Sequence, residues 1–149
     1  MLGRSAKNMR FSENAISSAA FIFEKHNGNS LTEYELSEIE RNGFEDISPD
    51  LLVKALKDAV TNDHKSDSTY RQQAYWALGK RYDKALVPFF TDRINIELKR
   101  DLIAVYQILV ALDSLDEHIF SEHRDGNYDL HEYDLNKQDA ENYLTKSNQ

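Results

Sequence analysis

Apolar residues recur at three- and four-residue steps along most of the chain, the spacing of one face of a helix. Ile16, Ala19, Ala20 and Phe23 form such a stripe in a helix over 12–26, with Ser12 as N-cap and Asn27-Gly28 as its end. A second helix opens at a capping box, Thr32 with Glu35, with Leu31 and Leu36 as a hydrophobic staple. Asn42-Gly43 stops it and Phe44 folds back over its last turn. Ser48-Pro49 starts a third helix that buries Leu51, Leu52, Ala55, Leu56, Ala59 and Val60. After a polar loop at 62–68, a fourth helix over 70–80 turns Ala74, Ala77 and Leu78 inward. At least one of Tyr75 and Trp76 joins the core, with Tyr75 expected towards the surface edge.

A fifth helix spans 84–94. Pro88 lies in its first turns, so it either kinks the helix or moves its start. The sixth, over 97–115, is the most apolar and buries Leu102, Val105, Ile108, Leu109 and Leu112. Beyond Asp116 the pattern weakens. Residues 124–129 read as a turn, and Asn136 as the cap of a short last helix containing Ala140, Tyr143 and Leu144. Strand-like alternation is confined to a weak trace over Tyr128–Tyr133. The expected class is all-α, with antiparallel helical hairpins joined by short loops.

The helical pattern also repeats. Ala77-Leu78 reappears about 34 residues on as Ala111-Leu112. At the same shift Gln73 falls on Gln107, Asp67 on Asp101, Lys65 on Lys99, Asp58 on Asp92 and Val53 on Val87. A period in this range marks stacked units that cannot bury their apolar faces alone. The segment 49–115 resembles HEAT repeats. Ala77-Leu78-Gly79, Asp83 and Ala85-Leu86-Val87-Pro88-Phe89 follow the family's order of helix end, turn and second-helix start. Arg71 stands where the family often places an arginine; in the next unit Val105 replaces it and Asp113 replaces the glycine. The resemblance implies a short HEAT-like α-solenoid. Such stacks mostly bind other macromolecules, and the fold itself carries no activity.

The 149 residues fit one domain, expected over 11–149 behind a flexible arm at 1–10. The formal net charge of −8 argues against nucleic acid or an anionic membrane as a partner. The absence of cysteine excludes disulfides, zinc–thiolate sites and cysteine nucleophiles, and suits the cytoplasm. No apolar run approaches the roughly 20 residues that cross a bilayer.

Catalytic chemistry finds little footing. Glu117-His118 and Glu122-His123 are five residues apart, which puts them on different sides of a helix. His131-Glu132 has no second pair. Asp125, Asn127 and Asp129 open like a calcium loop, but Leu130 and Asn136 stand where glycine and glutamate are required. No phosphate loop, GxSxG or HExxH occurs. The expectation is a non-enzyme with no cofactor and no metal.

Charge is segregated. Bases outnumber acids from Lys54 to Arg100, and acids dominate from Asp113 to Glu141. The candidate partner-binding residues are Asp113, Asp116, Glu117, Glu122, Asp125, Tyr128, Asp129, Glu132, Tyr133 and Asp134, in or next to an acidic, tyrosine-rich segment over 116–149. Carboxylates speed encounter with a basic partner, and tyrosines supply contact area at low entropic cost. In size, acidity and helical build the chain also resembles bacterial immunity proteins of contact-dependent inhibition and other polymorphic toxin systems. That resemblance implies a basic toxin or nuclease domain as partner. The alternative is a scaffold or adaptor of the same fold.

Overall fold

The computed structural model describes residues 13–62, 67–121, 124 and 128–147. They form seven α-helices and include a 3₁₀ turn at Lys84–Leu86, with no strand among the described residues. The chain divides into two compact units, Met1–Arg81 and Tyr82–Gln149. The division falls inside the segment that carries the repeat resemblance. The N-terminal arm and Ser12 lie outside the described residues.

The first unit contains α1 (Glu13–His26), α2 (Glu33–Arg41), α3 (Pro49–Thr61) and α4 (Ser68–Gly79). Helix α1 packs on the other three, and α3 packs on α4. Ile16, Ala19, Phe23, Leu52, Leu56, Ala74 and Leu78 are fully buried where they meet. Local chemistry sets the ends. Thr32 accepts from the Glu35 amide while the Glu35 carboxylate accepts from the Thr32 amide, which completes the capping box. Gly43 takes φ +73°, so the Phe44 amide reaches the Ile39 carbonyl and the Phe44 ring is buried. Leu36 stays exposed and forms no buried staple. Ser48 caps α3 with Pro49 in its first turn. Leu51 and Ala59 are only partly covered.

The fourth helix starts earlier than its apolar pattern suggests. Asp67 caps it by accepting from the Tyr70 amide at 2.8 Å. The two aromatic neighbours on α4 differ from expectation. Tyr75 is fully buried, whereas Trp76 is 36% exposed under the Lys80 ammonium, 5.6 Å from the ring centroid. Tyr75 shares the inward stripe with Ala74, Ala77 and Leu78, and helical geometry turns Trp76 off that stripe.

The second unit contains a 3₁₀ turn (Lys84–Leu86), α5 (Val87–Glu97), α6 (Leu102–Asp113) and α7 (Tyr133–Ser147). Pro88 moves the helix start rather than kinking it: the 3₁₀ turn ends where α5 begins. Helix α6 packs against both α5 and α7. Phe90, Ile94, Val105, Ile108, Leu109, Leu112 and Ala140 are fully buried. Leu102 is only partly so.

The helix expected over 97–115 starts later, at Leu102, because α5 runs on to Glu97. Glu97 ends α5 with its carboxylate fully buried, 2.7 Å from Arg100 and 3.8 Å from Arg93. Asp101 then caps α6, accepting from the Ile103 and Ala104 amides. A side chain that satisfies the amides of the first turn fixes where a helix begins.

Truncation should separate the two aromatic positions. Tyr75→Ala should cost about 3–5 kcal/mol of stability and Trp76→Ala less than about 1 kcal/mol. Paired urea titrations at constant slope would measure both.

Candidate functional site

Between α6 and α7 the chain runs from Ser114 to Glu132 and carries most of the acidic candidates. Its organising side chain is Arg124, which is buried although arginine normally seeks water. Its Nη1 donates to Asn136 Oδ1 at 2.8 Å and to Asp139 Oδ2 at 3.1 Å. Asp139 is itself buried and also accepts from the Ser121 amide at 3.4 Å. The Asn136 side-chain Nδ2 donates to the Asp129 carbonyl at 2.9 Å. Two buried residues of α7 therefore hold the segment at Ser121, Arg124 and Asp129.

Among the described residues, the arginine Nε and Nη2 have no hydrogen-bond acceptor. Aromatic rings stand in their place. Phe120 and Tyr128 stack with centroids 4.2 Å apart and planes at 23°. The guanidinium carbon lies 5.2 Å from one centroid and 5.4 Å from the other, so it flanks the stack rather than entering it. Cation–π attraction of this kind is strengthened by burial. Tyr106 donates to the Tyr128 carbonyl at 3.2 Å and fixes the far arm to α6.

The helix expected to begin at Asn136 begins at Tyr133, one turn earlier, and Asn136 is an interior residue of it. The reason is visible in spacing. Asn136, Asp139, Ala140 and Tyr143 are the buried residues of α7, at steps of three, four and seven. Polar residues occupy half of an inward-facing stripe because a buried cation needs their oxygens. The asparagine side chain is spent on Arg124 and the Asp129 carbonyl and is not free to cap.

The proposed binding residues fall into three groups. Asp113, Asp116, Tyr128, Asp129, Glu132, Tyr133 and Asp134 are exposed. Glu117 is half-buried and accepts from the Tyr143 hydroxyl at 2.8 Å. Glu122 and Asp125 lie outside the described residues, as do His64, His123 and Asn127. Some of the exposed set have local duties. Asp116 holds φ +64° after α6 and stands 3.9 Å from the Lys84 ammonium. Asp129 Oδ1 accepts from the His131 amide at 2.7 Å, and Tyr133 places its hydroxyl 3.2 Å from the His131 ring. Arg124 counts as a surface base in the sequence, and its role there is missed. The available signal is the inward stripe of α7, which carries an asparagine and an aspartate where apolar residues belong.

Two tyrosines are electrostatically perturbed. Burial raises the Tyr143 hydroxyl above its ordinary value. Burial also raises that of Tyr106, helped by the Asp129 charge and opposed by Arg124. Both remain protonated donors well past neutrality. Among the described residues, no group of three or more His, Asp or Glu side chains stands close enough to hold a metal ion. No described helix is long and apolar enough to cross a membrane.

No known protein family, curated protein or solved structure matches this chain.

Removing one partner of the buried pair strands the other's charge. Arg124→Met and Asp139→Asn should each cost about 3–5 kcal/mol, and Arg124→Met/Asp139→Leu together much less than the sum. A double-mutant cycle by chemical denaturation measures this. Alkali supplies a second check. A raised tyrosine pKa contributes stability that is complete below the unfolded value near 10 and is lost as pH rises through the folded value. Wild type should therefore weaken above about pH 10 more steeply than Tyr106→Phe/Tyr143→Phe. Urea midpoints at pH 9 and pH 11 compare them.

Proposed function

We propose that this is a non-enzymatic, cytoplasmic protein-binding protein that neutralises a basic toxin or nuclease domain, in the manner of an immunity protein. One observation carries the reading. In the stretch 113–141 Arg124, one of its two Lys/Arg residues, is buried as a pair with Asp139, so the stretch keeps its acidic balance while carboxylates face outward. Asp113, Asp116, Asp129, Glu132, Asp134 and Glu141 remain exposed, with Lys137 as the exposed lysine among them. Tyr128 and Tyr133 stand in the same region at 44% and 42% exposure. Tyr128 is held by ring stacking and through its own carbonyl, so little freedom is lost when a partner covers it.

The basic middle of the chain supports the same assignment of faces. Arg93 and Arg100 are committed to Glu97, Arg81 stands 3.7 Å from Asp50, and Lys80 lies near Glu24 and Trp76. Much of that positive charge is answered within its own unit. The architecture we propose is a short HEAT-like stack of helical hairpins, consistent with the packing of α3 on α4 and of α5 on α6. A scaffold or adaptor role is favoured by a different observation, the exposed Trp76 beside Lys80 on α4.

Affinity capture from the native host, followed by inhibition assays on the captured protein, tests the proposal. The expected partner is a basic toxin or nuclease domain whose activity is abolished at one-to-one stoichiometry. Glu132→Lys/Asp134→Lys should weaken binding at least about 10-fold, or about 1.4 kcal/mol, mostly through slower association. Raising salt should weaken the wild-type complex as well. Capture of non-toxic partners, lost on Trp76→Ala and indifferent to the charge reversal, would establish the adaptor instead.

A further inference from the structure

Of the 12 residues of α6 only Asp113, the last, is charged. A helix that is apolar all round normally lies buried on every side. Helices α5 and α7 pack against α6, and Ala104, Val105, Ile108, Ala111 and Leu112 are buried. One face stays open. Ile103, Tyr106 and Val110 follow at steps of three and four and share that face, and Asp113 comes three residues later at its end. Val110 is 39% exposed, and Ile103 and Tyr106 are half-buried. The apolar surface continues sideways. The Tyr106 and Phe120 rings lie 6.4 Å apart, and Phe120 stacks on the exposed Tyr128. Helix α4 does without such a stripe. At the register that pairs Ala77-Leu78 with Ala111-Leu112, it has Thr69 for Ile103 and Gln72 for Tyr106.

We propose that this face of α6 receives an amphipathic helix of a basic protein partner, its apolar side over Val110 and its lysines or arginines towards Asp113 and Asp129. The inference rests on reading the second unit as the surface for a basic partner, and it names the element that the partner presents. Charge selects the occupant. Asp113 ends the stripe, and Asp129 follows Tyr128, whose carbonyl holds the Tyr106 hydroxyl. Both carboxylates are exposed. A second copy of this chain would bring the same carboxylates to the same place, and an anionic lipid surface would meet them with like charge. A basic amphipathic helix matches both the apolar stripe and its acidic edge. From Ile103 to Val110 the stripe runs about 10 Å, enough for two turns of a docked helix. Lys99 is exposed four residues before Ile103, so the partner's bases belong at the Asp113 end.

The probe is a peptide of about 18 leucines and lysines, its leucines at helical spacing, titrated into the full-length protein and followed by amide chemical shifts. One comparison peptide carries glutamate for lysine, the other glutamine for leucine. The leucine-lysine peptide should shift the Tyr106 and Val110 amides saturably, and bind at least about tenfold tighter than either comparison. Val110→Gln should weaken it about threefold and Val110→Arg at least about tenfold, with the melting temperature of the protein unchanged. Equal affinity for the leucine-glutamate peptide, or leucine-lysine binding that survives Val110→Arg, would overturn the proposal. So would a dimer in sedimentation that Val110→Arg dissolves, because a second copy would then occupy the face. Should a basic toxin be captured and bind Val110→Arg unchanged, the face is excluded while the neutralising function stands. Should the peptide dock on α6 while the host yields no such toxin, the face stands and the function falls.

Discussion

A guanidinium buried in a small protein must have its charge answered in place, because leaving water costs several kcal/mol per ion. In this chain the answer comes from three directions. Asp139 supplies the opposite charge, Asn136 a neutral acceptor, and the Phe120–Tyr128 stack a π-surface. Each of these is also a structural tie. Asp139 holds the Ser121 amide, Asn136 holds the Asp129 carbonyl, and Tyr128 hangs from Tyr106. The long connection between α6 and α7 has few apolar residues of its own. Its described residues Ser121, Tyr128 and Asp129 are therefore held by one buried cation and the groups that gather around it.

The electrostatic consequence follows directly. Arg124 and Asp139 leave the surface together, so the stretch keeps its acidic balance while Asp113, Asp116, Asp129, Glu132, Asp134 and Glu141 face outward. The same removal of charge recurs elsewhere in the second unit. Glu97, fully buried, lies beside Arg93 and Arg100, and its pairing marks the end of α5. Internal pairing thus withdraws carboxylates along with cations, and the acidic residues that stay exposed stand beside the exposed Tyr128 and Tyr133.

Helix starts signalled by short-range chemistry were legible in the sequence. The Thr32–Glu35 box, Ser48-Pro49 and the displaced start at Pro88 depend on residues within one turn of each other, and local spacing captures such effects. The inward stripes of α1, α3 and α4 were legible for the same reason. What spacing did not reveal depended on distant partners. Asn136 reads as a cap because asparagine favours caps, yet Arg124, twelve residues earlier, draws its oxygen inward. Asp101 caps α6 and sets its start at Leu102, five residues after the start that the pattern suggests. Tyr75 and Trp76 are neighbours of similar character, and only the helix's phase against α1 and α3 assigns one to the interior. Of the candidate surface, the exposed acids and tyrosines were legible. The buried arginine that holds them was not, since composition alone makes it a surface base.

Native-state hydrogen exchange at the Ser121 amide tests this account most directly. That amide lies outside any helix, and its bond to Asp139 is part of the network around Arg124. If the buried cation orders the segment, Ser121 should exchange slowly, with protection approaching that of the α6 core amides. Exchange at the unprotected rate, with α6 still fully protected, would mean that the segment moves independently of Arg124 and that the acidic surface is not held in place.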